Sequence, residues 1–410
     1  MAWILKIACF LLILSALYLH TTSTRLIHPT KPNSSQTMSE QPWNVQRLDK
    51  EYLWIDTDVG MDDLFAIQIT MLHLDARKNT QQEMVLSAIS SVYGMTPNAT
   101  NGLDIVKELM VYNLPLGATS PVYPQSPIMG DLSTGSHHAL HDNEASFTFK
   151  DADFYQSVEL MQTQFLKKMN WNVEYQDSTS DNHHHETFFE PMFRLDHQNR
   201  ASLEDLPDNS LTILALGPLT NLAKWIRGTI TATGNDTHAI QLLRRKVKRI
   251  VSMGGNALFT DNTDIEWNYH CDAKSVQQVI ETFSDKFYMV GLDVANDKAI
   301  TQPQLLQLKQ TLLQKLSHPL YNSHRVAALL YNLLEINPAS CTYDPITASY
   351  LIRPDLFEFE QVNVAVDLVQ TESSFAGRIL KIANGTPINV ARTFSSSSYY
   401  EFLQALFTNF

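Results

Sequence analysis

Apolar residues in this chain fall into short runs that alternate with amphipathic stretches. Tyr52-Leu53-Trp54-Ile55 is a compact apolar run that ends in acidic residues and glycine. Behind it, Leu64, Ala66, Ile67 and Met71 recur at helical spacing, so the order strand, loop, helix is expected. The pattern returns downstream. Met84 to Val92 reads as a strand, and Asn101 to Tyr112 as a helix with Ile105, Leu109 and Met110 on one face. Further strands are expected at Leu211 to Leu216, Ile250 to Met253 and Phe287 to Leu292, with helices following from Thr220, Asp272 and Gln302. From Phe357 on, a few more strands and a final helix near Tyr399 to Leu406 are expected. Strands alternating with helices imply βαβ units. The fold class is therefore α/β, with a mostly parallel central sheet, doubly wound and covered on both faces.

Other regions break this rhythm. Lys6 stands before an almost unbroken apolar run from Ile7 to Leu19, and Thr21-Thr22-Ser23 offers small residues for cleavage. Residues 1–24 read as a signal peptide, with an uncleaved membrane anchor as the alternative. No later run approaches ~18 apolar residues, so no other span is expected. Residues 25–50 are polar and aperiodic and read as a flexible tail. Residues 51–410 are then one folded domain, with a polar insertion at about 170–209. That insertion contains Asp181-Asn182-His183-His184-His185-Glu186. Neighbouring histidines seldom face one ion together, so the segment reads as a disordered insertion rather than a metal site.

Composition narrows the function. The 410 residues are 44% hydrophobic and 18% charged, an ordinary globular balance. A net charge of -13 excludes a phosphate-backbone binder, so no nucleic-acid partner is expected. The basic cluster Arg244, Arg245, Lys246, Lys248 and Arg249 reads as a solvated helix end. Sequons at Asn33, Asn98 and Asn235 are plausible glycan sites behind a signal peptide. The expected location is thus extracellular or the lumen of the secretory pathway, free of the membrane once the signal is cleaved. Cys271 and Cys341 remain after that cleavage. They allow one disulfide but no disulfide framework and no zinc site.

The chemistry concentrates in Asp56-Thr57-Asp58-Val59-Gly60-Met61-Asp62-Asp63. This loop falls at the carboxyl end of the first strand, where open α/β sheets bind ligands. Carboxylates this close raise one another's pKa unless a cation neutralises them. Carboxylate oxygens are hard ligands, so calcium or magnesium is the natural partner. Helix capping by Asp62 and Asp63 would explain only part of the set.

The same segment resembles the N-terminal signature of the inosine–uridine-preferring nucleoside hydrolase family. Further resemblances follow in the family's order: Leu216-Gly217-Pro218-Leu219-Thr220-Asn221, Ser252-Met253-Gly254-Gly255, Glu266-Trp267-Asn268, Met289-Val290-Gly291-Leu292-Asp293-Val294 and Tyr343-Asp344-Pro345. The resemblance implies a calcium ion held by Asp58, Asp63, the Leu216 carbonyl and Asp344. It implies Asp62 as the base that activates a calcium-bound water, and Asp56, Glu266 and Asn268 as groups that hold the sugar. Cleavage of the N-glycosidic bond of ribonucleosides to free base and ribose is the implied reaction, on a small-molecule nucleoside. A homo-oligomer is left open.

This chain departs from the family pattern in places. Many members carry histidine before the late Asp, to protonate the departing base; here the residue is Tyr343, read as a hydrogen-bond donor or as pocket wall. Gly94 is followed by Met95 where the family often has Asn. Asn262 is the nearest counterpart of an Asn that precedes the Glu-aromatic-Asn motif, and His141 matches a histidine of the active-site loop without its flanking glycines. Two other readings remain: a secreted non-catalytic nucleoside-binding protein on the same fold, and a haloacid-dehalogenase-like phosphatase, suggested by Asp56-Thr57-Asp58 alone.

Overall fold

A computed structural model describes residues 50–76, 83–96, 99–113, 131–134, 152–171, 173, 191, 193–194, 200–255, 266–317, 321–369 and 376–410. The signal segment, the tail up to residue 49, the histidine run, His141 and Asn262 lie outside the described residues.

The strands are β1 (Glu51–Thr57), β2 (Met84–Ser91), β3 (Asp131–Thr134), β4 (Phe193–Arg194), β5 (Arg200–Ala201), β6 (Leu211–Ala215), β7 (Val247–Met253), β8 (Phe287–Val290), β9 (Phe357–Val366), β10 (Ile379–Lys381) and β11 (Thr386–Phe394). A nine-stranded sheet runs in the order β10-β9-β11-β8-β7-β6-β1-β2-β3. From β3 through to β11 every neighbouring pair is parallel. Strand β9 runs antiparallel to β11 and to β10, closing that edge with a hairpin.

Alternation along β1 separates the two faces, because successive strand side chains point to opposite sides. Leu53 and Ile55 join one core, with the helices Met61–Ala76, Gln302–Leu316, Tyr321–Ile336, Asp344–Ile352 and Ser396–Asn409. Tyr52 and Trp54 join the other, with Thr220–Thr233, Asp236–Lys246 and Ala273–Phe283. Helices on both faces make the sheet doubly wound, as expected. The chain leaves β1 toward β2 and β3 on one side and later runs through β6, β7 and β8 on the other. The strand order therefore reverses between β1 and β6, the position where open sheets leave a crevice.

Several details differ from the sequence reading. Part of the segment taken as a polar insertion belongs to the core: Phe193, Leu203 and Leu206 are buried beside Trp54 and Trp225. The basic cluster is not a solvated helix end throughout. Lys246 is buried and donates to the Glu204 and Leu206 carbonyls at 2.9 and 2.6 Å, while Arg249 pairs with Glu51 at 2.9 Å. Free carbonyls beside the helix end draw the ammonium inward. Cys271 and Cys341 are both buried and free, so the optional disulfide is absent. Among the described residues no helix is long and apolar enough to cross a membrane.

Candidate functional site

The β1 exit loop is folded by its own polar groups. The Thr57 hydroxyl donates to the Asp63 carboxylate and accepts from the Val59 N–H at 3.1 Å. The Gly60 N–H donates to the other Asp63 oxygen at 2.9 Å. Val59 takes a positive φ of 63°, and Gln162 on the helix Ala152–Met169 holds its carbonyl at 2.9 Å. These bonds bend the chain so that Asp62 and Asp63 fall in the first turn of the helix Met61–Ala76, where the helix dipole favours negative charge. The Met95 N–H, arriving from the end of β2, donates to Asp58 at 2.9 Å.

Asp344 opens the helix Asp344–Ile352, which packs against the helix Met61–Ala76. Oxygens of Asp62, Asp63 and Asp344 come within 4.8 Å of one another, and Asp58 is hydrogen-bonded to Asp63. Burial, followed by the charge of Asp63, pushes Asp62 up to about 8. Burial and the neighbouring acids drive Asp58 and Asp344 well above the ordinary carboxylate range. Asp63 also rises through burial, although hydrogen bonds from Asp344, Thr57 and Gly60 oppose the shift. A buried set of carboxylates so disposed suits a hard divalent cation, which removes the repulsion and uses oxygen ligands only.

The acids form one end of a cavity of about 550 Å³, a size suited to a small-molecule ligand. Glu266 and Asn268 come to its wall from the loop after β7. Glu266 caps the short helix Trp267–Cys271, accepting from the N–H groups of Asn268, Tyr269 and Gly255 at 2.8, 2.9 and 2.8 Å. Its carboxyl is nevertheless raised, because burial outweighs those donors. Asn268 donates to the Leu216 carbonyl at 2.8 Å and more weakly to the Met253 carbonyl. Leu216 thus lines the cavity, and its carbonyl, the expected calcium ligand, accepts from Asn268.

Tyr343 stands at the cavity wall with φ 58° and ψ −100°. Such a backbone costs a bulky residue about 1–3 kcal/mol and persists only where its surroundings demand it. Here it sets the ring against the cavity while the next residue, Asp344, turns into the acid cluster.

Asp56 lies within β1, apart from the cavity lining. It pairs in register with Ser90 of β2 and Ala215 of β6 and lies fully buried. Its Oδ1 accepts from Asn221 at 2.7 Å and from the Ser90 hydroxyl. Its other oxygen, Oδ2, is buried without a hydrogen-bond partner among the described residues, and burial raises the carboxyl to about 7. Asp58, Asp62, Asp63, Asp344, Leu216, Glu266, Asn268 and Tyr343 do come together around the cavity. Met253, Trp267 and Leu292, known from sequence only as members of motifs, and Asn296, Asp297 and Lys298, not singled out there, also line the wall. Met253 ends β7 and the others follow β7 or β8, so the rule that ligands collect at carboxyl strand ends was the available signal.

A doubly wound sheet with a carboxylate-lined cavity at its switch point defines a class of α/β protein equipped to hold a hard cation beside a polar small molecule. Residues 53–401 match the family described as inosine-uridine preferring nucleoside hydrolase. The chain belongs to that family. It is 26% identical over 241 residues to the non-specific ribonucleoside hydrolase RihC of Salmonella paratyphi A, covering 55% of this chain and 72% of that protein. It is 28% identical over 184 residues to RihC of Escherichia coli, covering 44% of this chain and 54% of that one. Among solved structures it resembles the plant nucleoside hydrolase PpNRh1 (TM-score 0.54, 17% identity, 88% of this chain and 99% of that one). A purine-preferring ribonucleoside hydrolase from Gardnerella vaginalis is similar to the same degree (TM-score 0.54, 15% identity, 87% and 98% covered). At these identities the structural likeness speaks for the fold alone.

Proposed function

We propose that this chain is a secreted, calcium-dependent hydrolase that splits ribonucleosides into free base and ribose. The observation that carries the reading is the convergence of Asp62, Asp63 and Asp344 on a cavity that Glu266 and Asn268 also line. Asp58, Asp63, Asp344 and the Leu216 carbonyl would hold the calcium, whose charge offsets the crowded carboxylates and polarises water and sugar hydroxyls. Asp62 is the general base, placed in the cavity wall beside the metal ligands. It takes a proton from water as the water oxygen bonds to C1′ of the ribose. The C1′–N bond breaks, its electron pair leaves with the base, and positive charge is spread toward the ring oxygen. Glu266 and Asn268 orient the sugar, and Tyr343 faces the base as a hydrogen-bond donor or contact surface. With a reference pKa near 10, a phenol is a weak acid at neutral pH, so solvent also supplies the proton that the base gains.

Secretion rests on the apolar run Ile7 to Leu19 and on the sequons; of these, Asn235 lies exposed at the start of the helix Asp236–Lys246. Expression of the full chain in secretory cells, with N-terminal sequencing of the medium protein, checks cleavage near residue 24. Purine and pyrimidine nucleosides assayed for ribose release, after chelation and after calcium is restored, check the activity. Ribose release that vanishes on chelation and returns with calcium supports the reading. Tight nucleoside binding without any ribose release would instead identify a non-catalytic binding protein.

A further inference from the structure

The helix Trp267–Cys271 brings Trp267 and Asn268 to the cavity, yet it is a single turn of five residues. A helix so short has little stability of its own, so its placement depends on what holds it. Most of its clasps belong to strand ends around the cavity. Glu266 gathers its first N–H groups and the Gly255 N–H. The Tyr269 hydroxyl lies 3.2 Å from the Ser252 hydroxyl, and the Tyr93 hydroxyl donates to the Cys271 carbonyl at 3.0 Å.

His270 reaches elsewhere. Its Nδ1 lies 2.7 Å from the carbonyl of Ala376, in the connection between the antiparallel strands β9 and β10. A carbonyl only accepts, so Nδ1 carries the proton and donates. The ring belongs to a residue only 7% exposed. The contact extends to Gly377, where an added Cβ would stand 2.5 Å from the Tyr269 carbonyl carbon and oxygen. Ala376 and Gly377 therefore lie flush on the backbone of the cavity helix, and the imidazole fixes Ala376 there.

We propose that His270 is a positioning residue for substrate. It locks the helix that carries Trp267 and Asn268 to the β9–β10 connection, so the antiparallel edge of the sheet sets that wall of the cavity. The inference rests on the nucleoside hydrolase reading. It concerns the cavity wall; the helix meets the proposed calcium ligands only through the bond from Asn268 to the Leu216 carbonyl, so substrate binding should suffer more than metal binding. Steady-state kinetics on inosine and uridine, with calcium titration by calorimetry, would compare wild type, His270→Leu and His270→Asn. Asn keeps an amide N–H close to the position of Nδ1; Leu has no donor.

His270→Leu should raise KM roughly tenfold or more with kcat within about threefold, the scale on which small misplacements act. His270→Asn should restore most of that loss, and in both variants calcium affinity should fall by a smaller factor than KM rises. Gly377→Ala, which pushes the connection off the helix, should reproduce the KM increase and serves if the Leu variant fails to fold. An unchanged KM in His270→Leu, or in Gly377→Ala, overturns the proposal. So does a parallel fall in calcium affinity, which marks general loosening. A wild-type protein that neither binds nor cleaves nucleosides overturns the function itself, whereas an active wild type with an unaffected Leu variant overturns only the tether.

Discussion

One methyl group at Gly94 tests the metal site from outside the acidic loop. Gly94 has φ +155°, and its backbone crosses directly over Asp58. An alanine Cβ would lie 2.0 Å from the Asp58 Oδ2, 2.6 Å from its Cβ and 2.7 Å from its Cγ. Non-bonded carbon contacts settle at about 3.5–4.0 Å, so a relative movement of roughly 1 Å or more is unavoidable. The carboxylate cannot yield freely, since the Met95 N–H fixes it at 2.9 Å and Asp63 adjoins it. Losing a hydrogen bond to a charged group costs about 1.5–3 kcal/mol, and a 1 Å error in a catalytic group costs on the order of 10²-fold. Gly94→Ala should therefore weaken calcium binding by roughly 10²-fold, about 2.7 kcal/mol, with turnover partly recovered in excess calcium. Calorimetric titration and ribose release read the two effects separately. Gly234→Ala is the control: it also has a positive φ, +62°, but its Cβ would meet nothing within 4 Å, so it should cost stability and leave calcium affinity alone. Wild-type calcium affinity and turnover in Gly94→Ala would refute the assignment of Asp58 as a metal ligand.

Other expectations follow from the same geometry. Asp62→Asn should keep nucleoside affinity while turnover falls by roughly 10²-fold or more, the scale of a lost general base; near-normal turnover would remove Asp62 from that role. Tyr343→Phe should slow natural nucleosides by about threefold to tenfold, the worth of one hydrogen bond, and leave nitrophenyl riboside nearly unchanged. A thousandfold loss confined to natural nucleosides would instead make Tyr343 the general acid. Far from the site, burial raises the Glu51 carboxyl, but Arg249, Lys248 and Thr212 outweigh it and hold it below 4.5. A lowered folded-state pKa stabilises above the unfolded value and fades as pH falls through the folded one. Glu51→Gln should then cost about 1–2 kcal/mol at pH 7, and the penalty should shrink as pH drops below about 4.5; equal penalties in denaturant melts at pH 7 and pH 3.5 would contradict this.

The parts of the fold that sequence made legible are those where local chemistry and global position agree. Leu53 and Ile55 alternate with Tyr52 and Trp54, and the two pairs do enter opposite cores. The acids of the first loop were legible because no helix cap needs so many. Register was not legible. Asp56 and Asp58 have the same strand parity, so periodicity treats them alike, yet Asp56 is locked between β2 and β6 while Asp58 clears the strand by one residue. Only the pairing of Asp56 with Ser90 and Ala215, fixed by distant segments, separates their environments. Lys246 misled for a similar reason: its carbonyl partners Glu204 and Leu206 lie in a stretch whose polar composition hid Leu203 and Leu206 from view.

The convergence of Asp344 with Asp63 shows what sequence spacing withholds and topology supplies. Each acid stands in the first turn of its helix, Asp63 on Met61–Ala76 and Asp344 on Asp344–Ile352, and the two helices pack together. Both helices thus direct the positive end of a dipole toward the acid cluster. That field lowers the cost of bringing carboxylates together but is worth only about 0.3–1 kcal/mol per helix, too little to hold four buried acids ionised. Burial and the charge of the neighbouring acids drive them toward the protonated state. Keeping these acids ionised therefore calls for a bound cation, and that demand follows more firmly from the packing of two helices than from the number of aspartates in the first loop.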